Sequence, residues 1–273
     1  MTSVQKVIKY CAFGLACLLA FSIISGIVAA GFGILTAVGV VSGGSVETIN
    51  CESYARCLNL ELGYTNVEVK VGEEFLVETE DKDFEVTKTD DKIVIKDKKR
   101  GGWFIWHNDR KIVVTLPRGA EFDAVGIGSG GGKIEIEEIN THELELTLGA
   151  GETIIKNISV DRKAKVSTGA GRLVIEGGKI NNAEIDLGVG ETSIRAAIIG
   201  DNKIDAGVGA VKLDLLLPES EYAIKVEKGI GEVKFNGSSV ASGSTIGNGE
   251  NRLEVNGGVG EIGIKTALPD ETD

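Results

Sequence analysis

Three stretches decide the fold of this chain: Gly149-Ala-Gly-Glu-Thr-Ile-Ile-Lys156, Gly169-Ala-Gly-Arg-Leu-Val-Ile-Glu176 and Gly188-Val-Gly-Glu-Thr-Ser-Ile-Arg195. Each begins with Gly-x-Gly and continues with residues that alternate in polarity. The tripeptide begins at Gly130, Gly149, Gly169, Gly188 and Gly207 and, less regularly, at Gly229 and Gly258. The first five copies recur with a nearly constant period. A fixed period of about 20 residues predicts a solenoid in which each coil stacks on the one before.

Alternate residues in each repeat are aliphatic or β-branched, which is typical of a strand with one buried face. The position two residues after each glycine pair shows the pattern: Ile134, Thr153, Leu173, Thr192, Val211, Val233 and Ile262. We therefore predict an all-β fold, a single-stranded parallel β-helix with about 19–20 residues per coil. Parallel crossovers favour a right-handed solenoid. The Gly- and Ser-rich residues 236–251 depart from the pattern and are predicted to form a side loop.

Charged residues at the exposed positions alternate in sign from one repeat to the next until the regular spacing fails after Asp214. The residue after each glycine pair runs Lys133, Glu152, Arg172, Glu191, Ala210, Glu232 and Glu261. One strand-length later the series is Glu137, Lys156, Glu176, Arg195, Asp214, Asn236 and Lys265. Equivalent residues of stacked parallel coils lie about 4.8 Å apart, where opposite charges attract. The alternation predicts ladders of ion pairs, with Glu137 beside Lys156, that fix the register of the coils.

The repeated glycines are predicted to have a structural role. A corner of a coil needs positive φ or a close approach of neighbouring backbones, and glycine meets both needs because it has no Cβ. The residues concerned are Gly130, Gly132, Gly149, Gly151, Gly169, Gly171, Gly188, Gly190, Gly207 and Gly209.

Composition limits the possible partners. The 273 residues include 41 Asp and Glu against 29 Lys and Arg, which gives a net charge of −12. Nonspecific nucleic-acid binding needs clustered cations against phosphate, so this acidic chain is not expected to bind nucleic acid.

Residues 10–43 carry no charged side chain and form an apolar run longer than one helix needs to cross a hydrocarbon core of about 30 Å. Lys6 and Lys9 precede the run, which by the positive-inside rule places the N-terminus inside and the C-terminal domain outside. We therefore expect a single-pass protein of the cell membrane with one transmembrane helix ahead of the solenoid. A cleaved signal peptide, with small residues at 28–30, is the competing interpretation.

The predicted organisation has five parts: a cytoplasmic N-terminus (1–9), a transmembrane anchor (10–43), an N-terminal β region with an aromatic hairpin (44–117), the solenoid coils (118–266) and an acidic tail (267–273). Cys51 and Cys57 lie shortly after the anchor and could form a disulfide if their compartment is oxidising. Such a bond would staple a loop near the membrane and would carry no chemistry.

The segment KDKKRGGWFIWHNDRK, residues 96–111, contrasts with the acidic remainder because it concentrates Lys and Arg around both tryptophans of the chain. Its candidate partner contacts are Lys98, Lys99, Arg100, Trp103, Phe104 and Trp106. Trp and Arg favour interfaces, so the segment could contact a lipid headgroup, a cell-envelope polymer or a membrane protein. The alternative is that the aromatic rings fold back and cap the open end of the solenoid, which must be covered to prevent edge pairing.

Motifs for catalysis, cofactor binding and metal binding are missing from the sequence. Residues 126–131 match the dinucleotide fingerprint, but that fingerprint must open a helix and here the strand-like KIEIEEI follows. His107 and His142 are far apart in sequence, and no Cys/His cluster has metal-ligand spacing. We therefore predict that the protein is not an enzyme and has no cofactor and no metal site.

Three further stretches lie before or at the start of the coils: Asn66-Val-Glu-Val69, Lys111-Ile-Val-Val-Thr-Leu-Pro117 and Gly128-Ser-Gly-Gly-Gly-Lys-Ile134. Together with the Gly-x-Gly coils they resemble a bacterial family of unknown function labelled "putative adhesins", over about residues 45–266. The resemblance implies a parallel β-solenoid tethered to the cell envelope, in some members beside envelope-stress signalling proteins. No catalytic residues are established for that family, so the resemblance implies none here.

These observations lead us to expect a non-enzymatic interaction or adhesion module of the cell envelope, displayed outside the membrane on a rigid scaffold. The alternative is a regulatory ectodomain that reports envelope stress to a partner in the membrane. A third class, an enzyme that acts on polysaccharide, would require acidic residues that converge in a groove.

Overall fold

The computed structural model describes residues 47–48, 56–79, 84–89, 91–97 and 111–267. Nearly all of these residues lie in strands, which confirms the predicted all-β fold. The strands are β1 (Glu47–Thr48), β2 (Cys57–Tyr64), β3 (Asn66–Gly72), β4 (Leu76–Thr79), β5 (Phe84–Lys88), β6 (Lys92–Asp97), β7 (Lys111–Pro117), β8 (Glu121–Ile175), β9 (Gly178–Asn181), β10 (Ala183–Ile199), β11 (Asp201–Pro218), β12 (Tyr222–Glu227), β13 (Ile230–Phe235), β14 (Ser238–Ser239), β15 (Ser244–Ile246), β16 (Asn251–Asn256) and β17 (Val259–Ala267). The long β8 is a continuous extended segment that winds through successive coils.

The core is built from the alternating residues that the sequence pattern predicts. All seven positions two residues after the glycine pairs are buried, from Ile134 to Ile262, as are all seven positions two residues further on. Burying one such aliphatic side chain contributes roughly 1.5–3 kcal/mol before chain entropy is subtracted. The strands therefore form because each coil supplies one continuous apolar face to a shared interior.

Neighbouring coils pair in parallel and in register. Gly190 of β10 lies opposite Gly171 of β8 on one side and opposite Gly209 of β11 on the other. The same register continues through the strands on both sides of this corner, so equivalent residues of successive repeats form columns. The predicted parallel stacking is confirmed.

At the C-terminal end, the order of coils along the stack differs from their order in the sequence. β11 pairs with β16 and β17, so Gly209 lies opposite Gly260. β12 and β13 pair with the other side of β16 and β17, so Gly231 also lies opposite Gly260. The last coil is therefore inserted between the two coils that precede it. The prediction that each coil stacks on its predecessor is wrong here, because residues 236–250 carry the chain back across one coil.

The N-terminal end has the same kind of arrangement. β2 pairs with β6 on one side and with the start of β8 on the other. β3 pairs with β7 and with β8, so Val69 lies opposite both Val114 and Ile136. The coil formed by β2 and β3 is thus also enclosed between two others.

Short antiparallel strands cover both ends of the stack. β5 pairs with β6 and β4 with β7 at one end, while β15 pairs with β12 and β14 with β13 at the other. Exposed parallel edges are templates for association, and these strands occupy them. β14 and β15 lie within residues 236–251, so the predicted side loop is corrected to an edge-covering segment.

The described residues contain no helix with the length and apolar character needed to span a bilayer. The predicted anchor at 10–43 lies outside the described residues. The right-handed sense of the solenoid also stays a prediction.

Candidate functional site

The Gly-x-Gly corners stack with their backbones in close contact. The second glycine of each copy has positive φ, for example 142° at Gly190. A Cβ at Gly190 would lie 1.8 Å from the carbonyl oxygen of Gly171. At the first glycine, a Cβ on Gly188 would lie 2.0 Å from the carbonyl oxygen of Gly169. A side chain fits between the two glycines but at neither of them.

That middle residue is large, aliphatic and exposed in four adjacent coils. Val189, Val208, Val259 and Ile230 are 58, 49, 40 and 57% exposed. Val189 lies opposite Val208, Val208 opposite Val259, and Val259 opposite Ile230. With about 4.8 Å between parallel strands, the four side chains form a strip about 14 Å long. We call these four residues the apolar row.

The type of residue between the two glycines of Gly-x-Gly changes along the stack. In the preceding coils this position is occupied by the exposed Ala150 and Ala170. One end of the same column is Tyr64, which lies opposite Gly131. A Cβ on Gly131 would lie 2.6 Å from the Tyr64 ring, so the ring covers that glycine. Large aliphatic side chains are thus concentrated in the coils from β10 to β13.

The apolar row has an acidic border. Glu191, Glu232 and Glu261 are exposed and follow row residues by two positions. Nζ of Lys234 lies 3.1 Å from the Glu232 carboxylate and 3.0 Å from the Glu261 carboxylate. The hydrogen bond from the Ser239 hydroxyl, and then Lys234, hold the pKa of Glu232 below its usual value. Glu232 therefore stays charged at neutral pH, and the Lys234 ammonium group lies between two carboxylates of the border.

The interior behind the corner has no room for a small-molecule ligand. Leu148, Leu187, Thr153 and Thr192 are among the residues lining a cavity of about 30 Å³. Pockets for small molecules typically measure about 300–1,000 Å³. The corner therefore offers an outer surface and not a pocket.

The predicted charge ladders are present in part. Nη1 of Arg172 lies 2.7 Å from the Glu152 carboxylate, and Nζ of Lys133 lies 3.9 Å from the same group. In the second column, Nε of Arg195 lies 4.0 Å from the Asp214 carboxylate. Most of these side chains are well exposed, so each pair contributes at most about 1 kcal/mol.

The predicted pair between Glu137 and Lys156 is wrong. The Glu137 carboxylate instead accepts a hydrogen bond of 3.1 Å from the backbone N–H of Val71. The physical reason is that β3 pairs with this part of β8 and brings a backbone donor close to the carboxylate.

Like charges also lie side by side in some columns. Asp186 of β10 lies opposite Asp205 of β11. Burial, and then the charge of Asp205, raise the pKa of Asp186 above its usual value. The Asp205 carboxylate forms an ion pair with Lys203 and accepts a hydrogen bond of 2.7 Å from Nδ2 of Asn256.

Three potential metal ligands from successive coils meet at another corner of the solenoid. Glu121, His142 and Asp161 each offer one ligand atom, and these atoms lie within 4.8 Å of one another. Nδ1 of His142 is 3.6 Å from the Asp161 carboxylate. His142 is half-buried, whereas the two carboxylates are exposed. We call these three residues the His142 cluster.

The partner contacts predicted from sequence cannot be placed in the structure. Lys98, Lys99, Arg100, Trp103, Phe104 and Trp106 lie outside the described residues. Cys51 lies outside them too, so its disulfide with the half-buried Cys57 stays a prediction. Residues 126–131, which match the dinucleotide fingerprint, lie within β8 and not at the start of a helix.

Sequence reasoning missed both features that the structure assembles. The apolar row occupies the middle position of Gly-x-Gly. The sequence interpretation assigned a role to the two glycines but none to the residue between them. In the His142 cluster, His142 and Asp161 are separated in sequence by one repeat period. Reading histidines and carboxylates against that period would have found the pair.

The chain also matches a known protein family. The family model described as Toastrack DUF4097 matches residues 58–247, which is most of the chain. The chain belongs to the Toastrack DUF4097 family. The predicted resemblance to an adhesin-labelled family of unknown function is confirmed by this family model together with the Bacteroides structure described next. The search of curated proteins found no match.

Two solved structures are similar to this Toastrack chain. A putative adhesin from Bacteroides fragilis NCTC 9343 is 13% identical, with a TM-score of 0.50, and the match covers 86% of this chain and 100% of that one. A putative cell adhesion protein from Clostridium sporogenes ATCC 15579 is 16% identical, with a TM-score of 0.37, over 84% of this chain and 100% of that one. At such identity the Bacteroides structure supports the fold alone.

Proposed function

We propose that this Toastrack protein is a non-enzymatic interaction module of the cell envelope, displayed outside the membrane, whose partner is another envelope protein. The observation that carries the proposal is the apolar row: four large aliphatic side chains exposed in four adjacent coils. Singly exposed apolar residues are normal on a protein surface, but a continuous strip suits a protein contact. The small cavity behind the corner supports a role in binding macromolecules and not small ligands.

The charges at the border favour a particular partner. Glu191, Glu232 and Glu261 flank the row on a chain whose net charge is −12. An anionic headgroup or an anionic envelope polymer would be repelled by such a surface, whereas a protein with an apolar strip and neighbouring Lys or Arg residues would be attracted. We therefore assign the row to a protein partner with a basic border.

The stacked backbone supports this role because it holds the row rigidly. Val208 and Val259 lie on strands that are paired on both sides. The side chains of the row thus have little backbone freedom to lose when a partner binds, and loss of such freedom is one of the main costs of association.

The test is affinity purification of the tagged full-length protein from cross-linked envelopes. The variant carries Val189→Thr, Val208→Thr, Val259→Thr and Ile230→Thr. Threonine keeps the β-branched shape that suits a strand, so the fold should be retained while the strip becomes polar. We expect the partner recovered with the wild type to be lost with this variant, and its binding to weaken as salt rises because the border is charged.

The matched control is Ala150→Thr with Ala170→Thr, which places the same side chain in the same column but outside the row. We expect the control to recover the partner as the wild type does. Equal recovery by the row variant and the wild type would refute the proposal. The same assay with Trp103→Ser and Trp106→Ser tests the aromatic segment separately.

A further inference from the structure

The His142 cluster contrasts with the charged surface around it. Two other carboxylates of these coils have a cationic neighbour: Glu143 has Arg162 at 3.7 Å and Glu152 has Arg172 at 2.7 Å. Among the described residues, neither Glu121 nor Asp161 has a Lys or Arg nitrogen within 4.0 Å of its carboxylate, and the ring of His142 makes no hydrogen bond. Two carboxylates therefore share one imidazole, and neither has a Lys or Arg partner.

The distances suit a metal ion. Zinc binds carboxylate oxygen and imidazole nitrogen at about 2.0–2.2 Å, which in a tetrahedral site puts neighbouring ligand atoms about 3.4 Å apart. Nδ1 of His142 and the Asp161 carboxylate are already 3.6 Å apart. The Glu121 carboxylate lies within 4.8 Å of both and is exposed, so a small rotation of its side chain would bring it into range.

The donor set indicates the class of metal. One imidazole nitrogen with two carboxylate oxygens suits first-row divalent cations such as Zn²⁺, whereas Ca²⁺ and Mg²⁺ prefer oxygen ligands alone. The two carboxylates are open to solvent, which leaves further coordination positions for water.

We propose that Glu121, His142 and Asp161 bind one divalent first-row transition cation at the surface of the solenoid. The three ligands come from successive coils, so the bound ion cross-links three turns of the stack. Cross-linking adds binding free energy to the folded state alone, and the ion should therefore raise the unfolding temperature. This site is separate from the apolar row and does not depend on the function proposed for it.

The test is calorimetric titration of the full-length protein with Zn²⁺, together with its thermal unfolding midpoint with and without Zn²⁺. His142→Gln should remove one Zn²⁺ equivalent and the Zn²⁺-dependent rise in the midpoint. Asp161→Asn and Glu121→Gln should each weaken the same site by about tenfold or more, since even partners of metal ligands contribute that much. The side chains involved are exposed or half-buried, so the variants should fold without metal as the wild type does.

Two matched controls accompany the test. Glu143→Gln removes a carboxylate next to His142, and His107→Gln removes the other histidine of the chain. Both should bind Zn²⁺ as the wild type does. The proposal is overturned if His142→Gln binds the same number of Zn²⁺ ions as the wild type. A Ca²⁺ response that depends on the three residues, without a Zn²⁺ response, would overturn the metal class.

Discussion

Glycine at the stacked corners meets two separate demands. At Gly188 the demand is space, because a Cβ would lie 2.0 Å from a carbonyl oxygen of the neighbouring coil. At Gly190 it is both space and conformation, because φ is 142° and a Cβ would lie 1.8 Å from the Gly171 carbonyl oxygen. Backbone atoms on the neighbouring coil cannot rotate away as a side chain could. The second glycine should therefore be the less tolerant of the two.

We predict that Gly190→Ala lowers the free energy of unfolding by at least about 2 kcal/mol, because it combines a disfavoured φ with a backbone clash. The measurement is denaturant unfolding of the full-length protein. Gly263→Ala is the control, since Gly263 also lies in a strand but has no atom within 4 Å of its Cβ position and no positive φ. Its effect should stay below about 1 kcal/mol. Equal losses for the two variants would contradict the argument.

Among the strands, the columns of equivalent residues determine which charges meet. Several columns place opposite charges together, but Asp186 of β10 meets Asp205 of β11. The pKa of Asp186 is raised by burial and by that neighbour. Ionisation of Asp186 is therefore less favourable in the folded protein than in the unfolded chain, whose value lies near 3.8. The stability linked to this group is full below the unfolded value and is lost as the pH rises through the raised folded value.

It follows that Asp186→Asn should stabilise the protein at pH 7, by up to about 1 kcal/mol for a like-charge pair on neighbouring strands. The gain should disappear as the pH falls below about 4, where the wild-type carboxyl is protonated. Unfolding midpoints of both proteins across this pH range give the comparison. Asp214→Asn serves as the control, because Asp214 lies 4.0 Å from Arg195 and its loss should bring no gain at pH 7. A gain that persists in acid would contradict the electrostatic origin.

The strands could be predicted from sequence, but their order could not. Period-two alternation depends on neighbours along the chain, which the sequence contains directly. The choice of pairing partner depends on columns that all coils share: Val226 and Val255 are both aliphatic, as are Val233 and Ile262. Such a pattern fits either order of the last two coils. In the sequence, the feature that indicates a crossover between coils is the long segment from β13 to β16, residues 236–250.

At the scale of the whole molecule, both ends of the described stack have the same organisation. At each end, the coil nearest the chain terminus is the second coil of the stack and not the outermost one. Short antiparallel strands cover the outermost coil. The order of residues along the apolar row depends on this assembly, because Val208 and Val259 become neighbours only through the inserted coil. The apolar row and the His142 cluster therefore could not be read from local sequence, although the repeat period would have placed His142 beside Asp161.

For the intact protein we predict that residues 10–43 anchor the chain and that the solenoid lies outside the membrane. The test attaches one tag before residue 1 and another after residue 273 and treats intact cells with protease. The C-terminal tag should be digested and the N-terminal tag protected, because Lys6 and Lys9 hold the N-terminus inside. A C-terminal tag that is protected in intact cells would contradict the topology. Loss of the N-terminal tag before any protease is added would favour the cleaved signal peptide.

The inserted C-terminal coil has a mechanical consequence. A force applied along β16 and β17 from the C-terminal side must shear two parallel ladders together, since these strands are bonded to β11 on one side and to β12 and β13 on the other. An end coil bonded on one side alone could be peeled off by breaking one ladder. A tensile load that enters here is therefore shared between two neighbouring coils from the start.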